Sequence, residues 1–189
     1  MNRALVGVIA EDLSDVEVID AIIRKITSAP YTIERFVGHG CGKIRIKCKA
    51  WSQNLRGRGC RILIILHDLD DSQPEPLRRS LVAALGVSPI GPHVIIIPIH
   101  EIEAWLLADH QAIHKALKLK HNLSTISNPE SIMRPKEYLR DIIYRRSGKK
   151  VFYINTIHNK KIAQECKVVN LRRCTSFRPL ELFLRGHLP

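Results

Sequence analysis

Acidic residues are scarce in the last part of this chain. Residues 110–189 hold 5 Asp and Glu against 17 Lys and Arg, while residues 1–109 hold 13 of each, so the formal charge of +12 belongs entirely to the C-terminal part. Acid is also missing from Arg35 to Arg61, which carries eight Lys and Arg. Basic stretches of this kind favour polyanions, nucleic acid first, over the plainer readings of a soluble basic protein or one that docks on an acidic partner. Long apolar runs are absent, and none approaches the roughly 20 residues of a membrane span. The apolar start resembles a signal peptide only superficially, because Glu11, Asp12 and Asp15 follow at once and no cleavage-like tail is present. A first strand in a cytoplasmic protein is the expectation. The five cysteines, Cys41, Cys48, Cys60, Cys166 and Cys174, are odd in number and form no CxxC pair. That argues against a disulfide framework or a zinc site and for reduced thiols, some of them in the core. Gly38, Gly40 and Gly42 surround His39 and Cys41 but match no phosphate-binding fingerprint. There is no repeat, low-complexity tract or long linker. A length of 189 residues with 45% hydrophobic content fits one domain, or one domain with an appendage.

What is present is organised around Ile62–Leu66, five apolar residues that read as a strand buried on both faces. The strand runs into Asp68, Asp70 and Asp71. In an open α/β sheet, ligands sit at the carboxyl ends of the strands. Asp68 and Asp70, two apart, point the same way if the backbone is extended. Paired carboxylates repel unless a cation lies between them, and a hard ion such as Mg²⁺ fits that need. The plain alternative is a solvated acidic turn.

Two other strands end the same way. Arg3–Ala10 is a first strand followed by Glu11, with Ser14 and Glu17 predicting a capping box for a helix that ends near Ser28. Tyr31–Val37 is a second strand. Lys43–Leu55 fits strand spacing through Ile44, Ile46, Cys48 and Ala50 and helical spacing through Ile44, Cys48, Trp51 and Leu55; helix is the expectation because Trp51 and Leu55 fit only that period. Glu75–Leu85 is a helix with Leu77, Leu81, Val82 and Leu85 inward. His93–Ile99 is a fourth strand, and Glu101 and Glu103 follow it. Beyond Asp109 the pattern is helical and basic: Pro135 starts a helix carrying Tyr138, Leu139, Ile142 and Ile143, Asn159–Cys166 is a short helix, and Ser176 caps a last helix with Leu180, Phe183 and Leu184 inward. The expected architecture is an α/β, Rossmann-like, mainly parallel sheet of about four strands flanked by helices. Residues 1–109 form its core and residues 110–189 a basic helical extension packed on it. Trp51 and Trp105 read as core residues, and the histidines as surface or core, with His67 and His100 exceptional for their place at strand ends.

With Glu11 after the first strand, Asp68-x-Asp70 after the third and Glu101-x-Glu103 after the fourth, residues 1–109 resemble the TOPRIM superfamily of topoisomerases, bacterial primases and overcoming-lysogeny-defect (OLD) nucleases. Over nearly the whole chain, Ala10-Glu-Asp-Leu-Ser-Asp15, Leu66-His-Asp-Leu-Asp-Asp71, Glu101-Ile-Glu-Ala-Trp-Leu-Leu-Ala-Asp109, Pro135-Lys136 and Ser176-Phe177-Arg178 look like a family of small stand-alone TOPRIM-like proteins of poorly known function. The chain departs from the superfamily at Asp12, where Gly is frequent.

The resemblance implies a nuclease dependent on Mg²⁺ or Mn²⁺. Asp68 and Asp70 would hold a metal, and Glu11 would bridge to it or act as general base. Glu101, Glu103 and Asp15 would hold a second ion or steady the first. Lys43, Arg45, Lys47, Lys49, Arg56, Arg58, Lys160, Lys161, Arg172 and Arg173 are the candidates for the nucleic-acid backbone, DNA or RNA, tRNA included. Expected partners are nucleic acid, an ABC-type or AAA ATPase of an anti-phage system and, as a homo-oligomer, further copies of the chain, with no membrane. The alternative is a silent regulatory or docking subunit bound to an ATPase or nucleic acid. A phosphoacceptor receiver domain is disfavoured, since it needs Ser or Thr after strand four and His100-Glu101 stands there.

Overall fold

A computed structural model of the protein describes residues 3–188, apart from the side chain of Cys41; Met1, Asn2 and Pro189 lie outside it. Four parallel strands form one sheet: β1 (Ala4–Ala10), β2 (Tyr31–Val37), β3 (Ile62–Leu66) and β4 (His93–Ile96), in the order β2-β1-β3-β4. Val6 lies beside Ile33 on one side and Ile62 on the other, and Leu63 beside His93. The two central strands are the most apolar runs of the chain, as helices on both faces require. The α/β, Rossmann-like fold class expected from the pattern of strands and helices is therefore present.

Side chains alternate across the sheet and build two cores. On one face Ile9, Leu63 and Ile65 pack with Ile44, Cys48 and Leu55 of α2 (Cys41–Gly57) and Leu77 and Leu81 of α3 (Pro74–Leu85). Gly7 lets α2 approach closely, since a Cβ there would come 3.0 Å from the Leu55 side chain. On the other face Val6, Val8 and Ile64 pack with Ile19, Ile22 and Ile23 of α1 (Leu13–Ile26).

That second face is completed by the later helices: α4 (Glu103–Leu107), α5 (His110–Leu117), α6 (Pro135–Arg146), α7 (Asn155–Glu165), α8 (Val168–Leu171) and α9 (Arg178–His187). Leu139, Ile143, Ile162, Leu180 and Leu184 belong to the same buried cluster as Val6 and Ile64. The packing thus runs without a break across residue 109. Among the described residues no helix is long and apolar enough to cross a membrane.

Several local expectations shift. Asp12, not Ser14, caps α1, in a reciprocal box with Asp15. Its φ of −128° is open to any residue, so no glycine is needed at this turn. α1 ends at Ile26, before Ser28, and β4 ends at Ile96 because Pro98 cannot donate to the ladder. Val82 faces solvent, off the stripe of Leu77, Leu81 and Leu85. Tyr138 is exposed beside buried Leu139 and Ile143. α7 begins at Asn155 rather than Asn159. Cys48, Cys60, Cys166 and Cys174 are buried free thiols, and Trp105 is wholly buried while Trp51 stacks on Phe36.

Ser176 does not cap α9. It lies in a short 3-10 turn, Thr175–Phe177, clasped by the buried carboxylate of Glu130. Glu130 accepts from the Thr175 and Ser176 amides at 2.7 and 3.0 Å and from their hydroxyls at 2.8 and 2.5 Å. The Ser176 hydroxyl also accepts from the Trp105 indole N–H at 2.8 Å, and Phe177 packs edge-on against that ring. One carboxylate thereby pins the end of the chain to α4, which carries Glu103. Truncation would leave four part-buried donors without their acceptor. Glu130→Ala is expected to destabilise by about 2–3 kcal/mol, lowering Tm by roughly 5–10 °C, with Glu130→Gln milder; a thermal melt of the three proteins checks this.

Candidate functional site

The strand order reverses between β1 and β3, with β2 lying to one side of the pair and β4 to the other. A crevice outside the carboxyl ends of such strands is where this class of sheet binds ligands. Three connections meet there, and backbone bonds carry the ladder beyond the strands. His39 N–H donates to Glu11 O at 2.8 Å, Leu69 N–H to Pro98 O at 3.1 Å, and Asp70 N–H to His100 O at 2.9 Å. His39, Asp70 and His100 all adopt positive φ, at 52°, 48° and 61°. Non-glycine residues reach this region at a cost, and such strain gathers at functional sites. Asp70 therefore departs from the extended backbone expected for Asp68-x-Asp70, yet both side chains still line the same cleft.

The cleft holds about 240 Å³ and is lined by Glu11, Asp12, Asp15, Asp68, Asp70, Glu101 and Glu103, with Lys136, His39, Gly40 and Asn155. All six residues expected to form a metal site are thus brought together. Most are anchored through one oxygen. Glu11 Oε1 accepts from the Asp68 amide at 3.1 Å and lies 2.8 Å from Nδ1 of buried His67. Asp68 Oδ1 accepts from the Ile102 amide at 3.1 Å. Asp15 Oδ2 accepts from the Asp12 amide at 2.8 Å. Glu101 Oε2 accepts from the Lys136 amide at 2.8 Å, so a residue 35 positions away serves the start of α6, whose own N-cap, Arg134, offers no side-chain acceptor. Glu103 Oε1 accepts from the Tyr153 hydroxyl at 3.1 Å and Asn159 Nδ2 at 3.0 Å. These tethers hold Glu11, Asp15, Asp68, Glu101 and Glu103 and, among the described residues, leave the other oxygen of Glu11, Asp68, Glu101 and Glu103 without a donor.

Crowding shows in the protonation of the group. Burial, reinforced by Glu103, Asp12 and Glu11 and opposed by the Asp12 amide, pushes Asp15 up to about 7. Burial and then the charges of Asp15, Glu103, Glu11 and Asp70 push Asp68 well above the usual carboxylate range. Burial is also the first cause of the upward displacement of Asp70 and Glu101, with Lys136 acting against it in both. Among the described residues lining the cleft, Lys136 supplies the one Lys or Arg.

Sequence reasoning overlooked the supporting residues. Lys136 was legible only as part of Pro135-Lys136 at a helix start. Asn155, which donates to Asp12 Oδ2 and Ser14 Oγ at 3.3 Å, carries no local signal, nor does the Tyr153–Asn159 pair behind Glu103. The expected basic residues do not form one track. Lys43, Arg45, Lys47 and Lys49 stand exposed on α2. At its far end Arg56 donates to Pro89 O and Arg58 pairs with Glu34 at 3.0 Å. On the opposite face of the sheet Lys160 pairs with Glu17, Arg172 makes a two-pronged pair with Glu181, and Arg173 donates to Ala108 O; Lys161 is exposed.

Among the described residues no group of three or more His, Cys, Asp or Glu side chains stands in position to hold a metal ion. The donor chemistry nonetheless suits Mg²⁺ or Mn²⁺. The oxygens are hard and anionic, and Mg²⁺ commonly takes only one or two protein carboxylates beside waters and substrate phosphate. Asp68 and Asp70 would hold such an ion, with Glu11, Asp15, Glu101 and Glu103 lining the same cleft.

No curated protein and no solved structure matches this chain. One family model matches residues 10–185, which takes in the cleft, the helices that line it and the Glu130 clasp. The chain therefore belongs to the family described as "Domain of unknown function (DUF4276)".

Proposed function

We propose that this protein is a TOPRIM-type nuclease dependent on Mg²⁺ or Mn²⁺, hydrolysing phosphodiester bonds of DNA or RNA. The observation that carries the reading is the meeting of seven carboxylates from three strand ends in one cleft, against a single lysine among the described lining residues. Several also serve the fold, Asp12 and Asp15 as the capping box of α1 and Glu101 at the start of α6, yet their meeting in one cleft is costly. Each raises the cost of ionising its neighbours, and a divalent cation removes that cost. The role in anti-phage defence and the controlling ATPase rest on the sequence resemblance.

When bound, the ion would lower the pKa of a water and stabilise charge on the phosphate. The protein's own part is positioning and proton transfer. The Asp68 amide and His67 hold Glu11 through Oε1, which leaves Oε2 to take the proton from the attacking water. The water oxygen bonds to phosphorus as the bond to the departing sugar oxygen breaks. Lys136 faces the same cleft, where its charge would offset that of the phosphate. Buried Asp15 and Glu103 form the inner wall, Glu103 held in place by Tyr153 and Asn159.

Purified protein is expected to cut nucleic acid in Mg²⁺ or Mn²⁺, alone or with its ATPase, and Glu11→Gln or Asp68→Asn to lower the rate at least about 100-fold. A panel of plasmid, single-stranded DNA, total RNA and tRNA reads this out. Cleavage that persists in both variants would sink the nuclease assignment, and none by the wild type under any of these conditions would favour the silent docking subunit.

Metal binding has a separate readout in stability. A carboxylate whose pKa is raised on folding adds stability below its unfolded value, and loses it as pH rises through the folded value. For Asp15 that window runs from 3.8 to about 7, and Asp68 acts in the same direction. The metal-free protein is thus penalised at pH 8, where bound cation compensates most. Scanning calorimetry should show a larger rise in Tm with Mg²⁺ at pH 8 than at pH 5.5, and Asp68→Asn should raise the metal-free Tm at pH 8. Equal rises at both pH values would count against metal binding at these carboxylates.

A further inference from the structure

α2 is electrostatically uncomfortable as it stands. It contains no acidic residue from Cys41 to Gly57, and its first half carries Lys43, Arg45, Lys47 and Lys49, all exposed. Lys43 and Lys47 are four apart, as are Arg45 and Lys49, and like charges at that spacing repel along a helix. Lys43 also stands in the first turn, where the helix dipole disfavours a cation. None of the four makes an ion pair among the described residues, whereas Arg56 and Arg58, farther along the same helix, are engaged by Pro89 O and Glu34. On the opposite face Lys160, Arg172 and Arg173 are likewise engaged within the protein. Lys161, Lys149 and Lys150 are also exposed and make no ion pair among the described residues, but on α2 four such cations stand within two turns of one helix.

The start of α2 abuts the carboxylate cleft. Gly40, the N-cap of α2, and His39 line the cleft itself, so Lys43 follows within one turn. Buried Ile44 and Cys48 face the sheet between the two pairs, which places Lys43 and Lys47 on one flank of the helix and Arg45 and Lys49 on the other. Arg45 faces the β3–α3 loop beside Ser72 and Gln73. The free cations span the seven residues Lys43–Lys49, about 9 Å along the axis. That is the reach of about three phosphates of one strand.

We infer that the first half of α2 is the docking surface for the nucleic-acid backbone, gripping the few phosphates next to the cleft, and that the basic helices on the other face take no part. The inference rests on the nuclease reading for its substrate, but it concerns binding and is tested without catalysis. Phosphate backbone is the occupant because each of its charges can meet one unpaired cation, and because the track leads into a cleft whose proposed chemistry is on phosphate.

The test is fluorescence anisotropy of labelled 20-nucleotide single strands and duplexes in EDTA, over a series of salt concentrations. Wild-type affinity should fall linearly with log salt. Lys43→Gln/Lys47→Gln and Arg45→Gln/Lys49→Gln should each lower the slope by about 1.4–1.8 and weaken binding at least tenfold at low salt. Their Tm should be unchanged or higher, because like-charge repulsion is relieved, which a structural role would not produce. Lys160→Gln/Lys161→Gln should leave the slope as it was. Unaltered slopes in both α2 variants overturn the inference, as does competition by poly-glutamate equal to that by nucleic acid, which would make the patch a seat for an acidic protein. A protein that binds through α2 but cuts nothing keeps the surface and loses the nuclease reading; one that cuts, with α2 variants binding normally, does the reverse.

Discussion

Repulsion among carboxylates at the β1–β3 switch point is the constraint around which the rest of this fold is arranged. Asp15, Asp68 and Glu103 lie deep enough that each raises the cost of charging another, and Glu11, Asp70 and Glu101 add to the field from the rim. Such a group keeps a fixed shape only if something holds every member. Here the holders are mostly backbone amides: Asp12 for Asp15, Asp68 for Glu11, Ile102 for Asp68 and Lys136 for Glu101. Amides donate without adding a counter-charge, so the carboxyl groups are positioned while their mutual repulsion is left uncompensated. A lysine or arginine at each position would have held the carboxylates equally well and neutralised them.

The later helices belong to that arrangement. α4 delivers Glu103 from a wholly buried helix, α6 brings Lys136 to the rim, and the segment leading into α7 contributes Tyr153 and Asn155. The Glu130 clasp on Thr175 and Ser176 ties the end of the chain to Trp105 beside Glu103. Residues 110–188 therefore act as the second wall of the sheet and of the cleft, sharing a core with β1 and α1. Their excess positive charge is largely a surface property, and several of its arginines and lysines are tied to Glu17, Glu181 or backbone carbonyls. The two halves of the electrostatic pattern sit close together: an anionic cleft, and a cationic half-helix beginning at its edge. Charge separated in this way within one molecule is what the proposed action on a phosphodiester would use.

Much of this was legible in the chain before any coordinates. Apolar runs of five to seven residues, each ending in an acid and each followed by a helical period, determined the parallel sheet and the edge at which Glu11, Asp68 and Glu101 had to lie. That inference needs only local periodicity and the rule that parallel strands put their carboxyl ends together. What the chain could not reveal locally was which partners meet across long separations. Glu101 serves the start of α6, Glu130 clasps Thr175, and Tyr153 and Asn159 stand behind Glu103; each contact joins residues tens of positions apart. Asp70 turning into the left-handed region, and Asp12 rather than Ser14 capping α1, were likewise decided by hydrogen bonds from neighbouring elements or by the exact path of the turn. Lysines and arginines looked alike in sequence, and only packing separated those neutralised by Glu17, Glu34 and Glu181 from those, such as the four on α2, left without an ion pair. Periodicity is a property of neighbours along the chain, whereas charge compensation depends on neighbours in space, and that is why the sheet was determined by the sequence and the site's electrostatics by the tertiary structure.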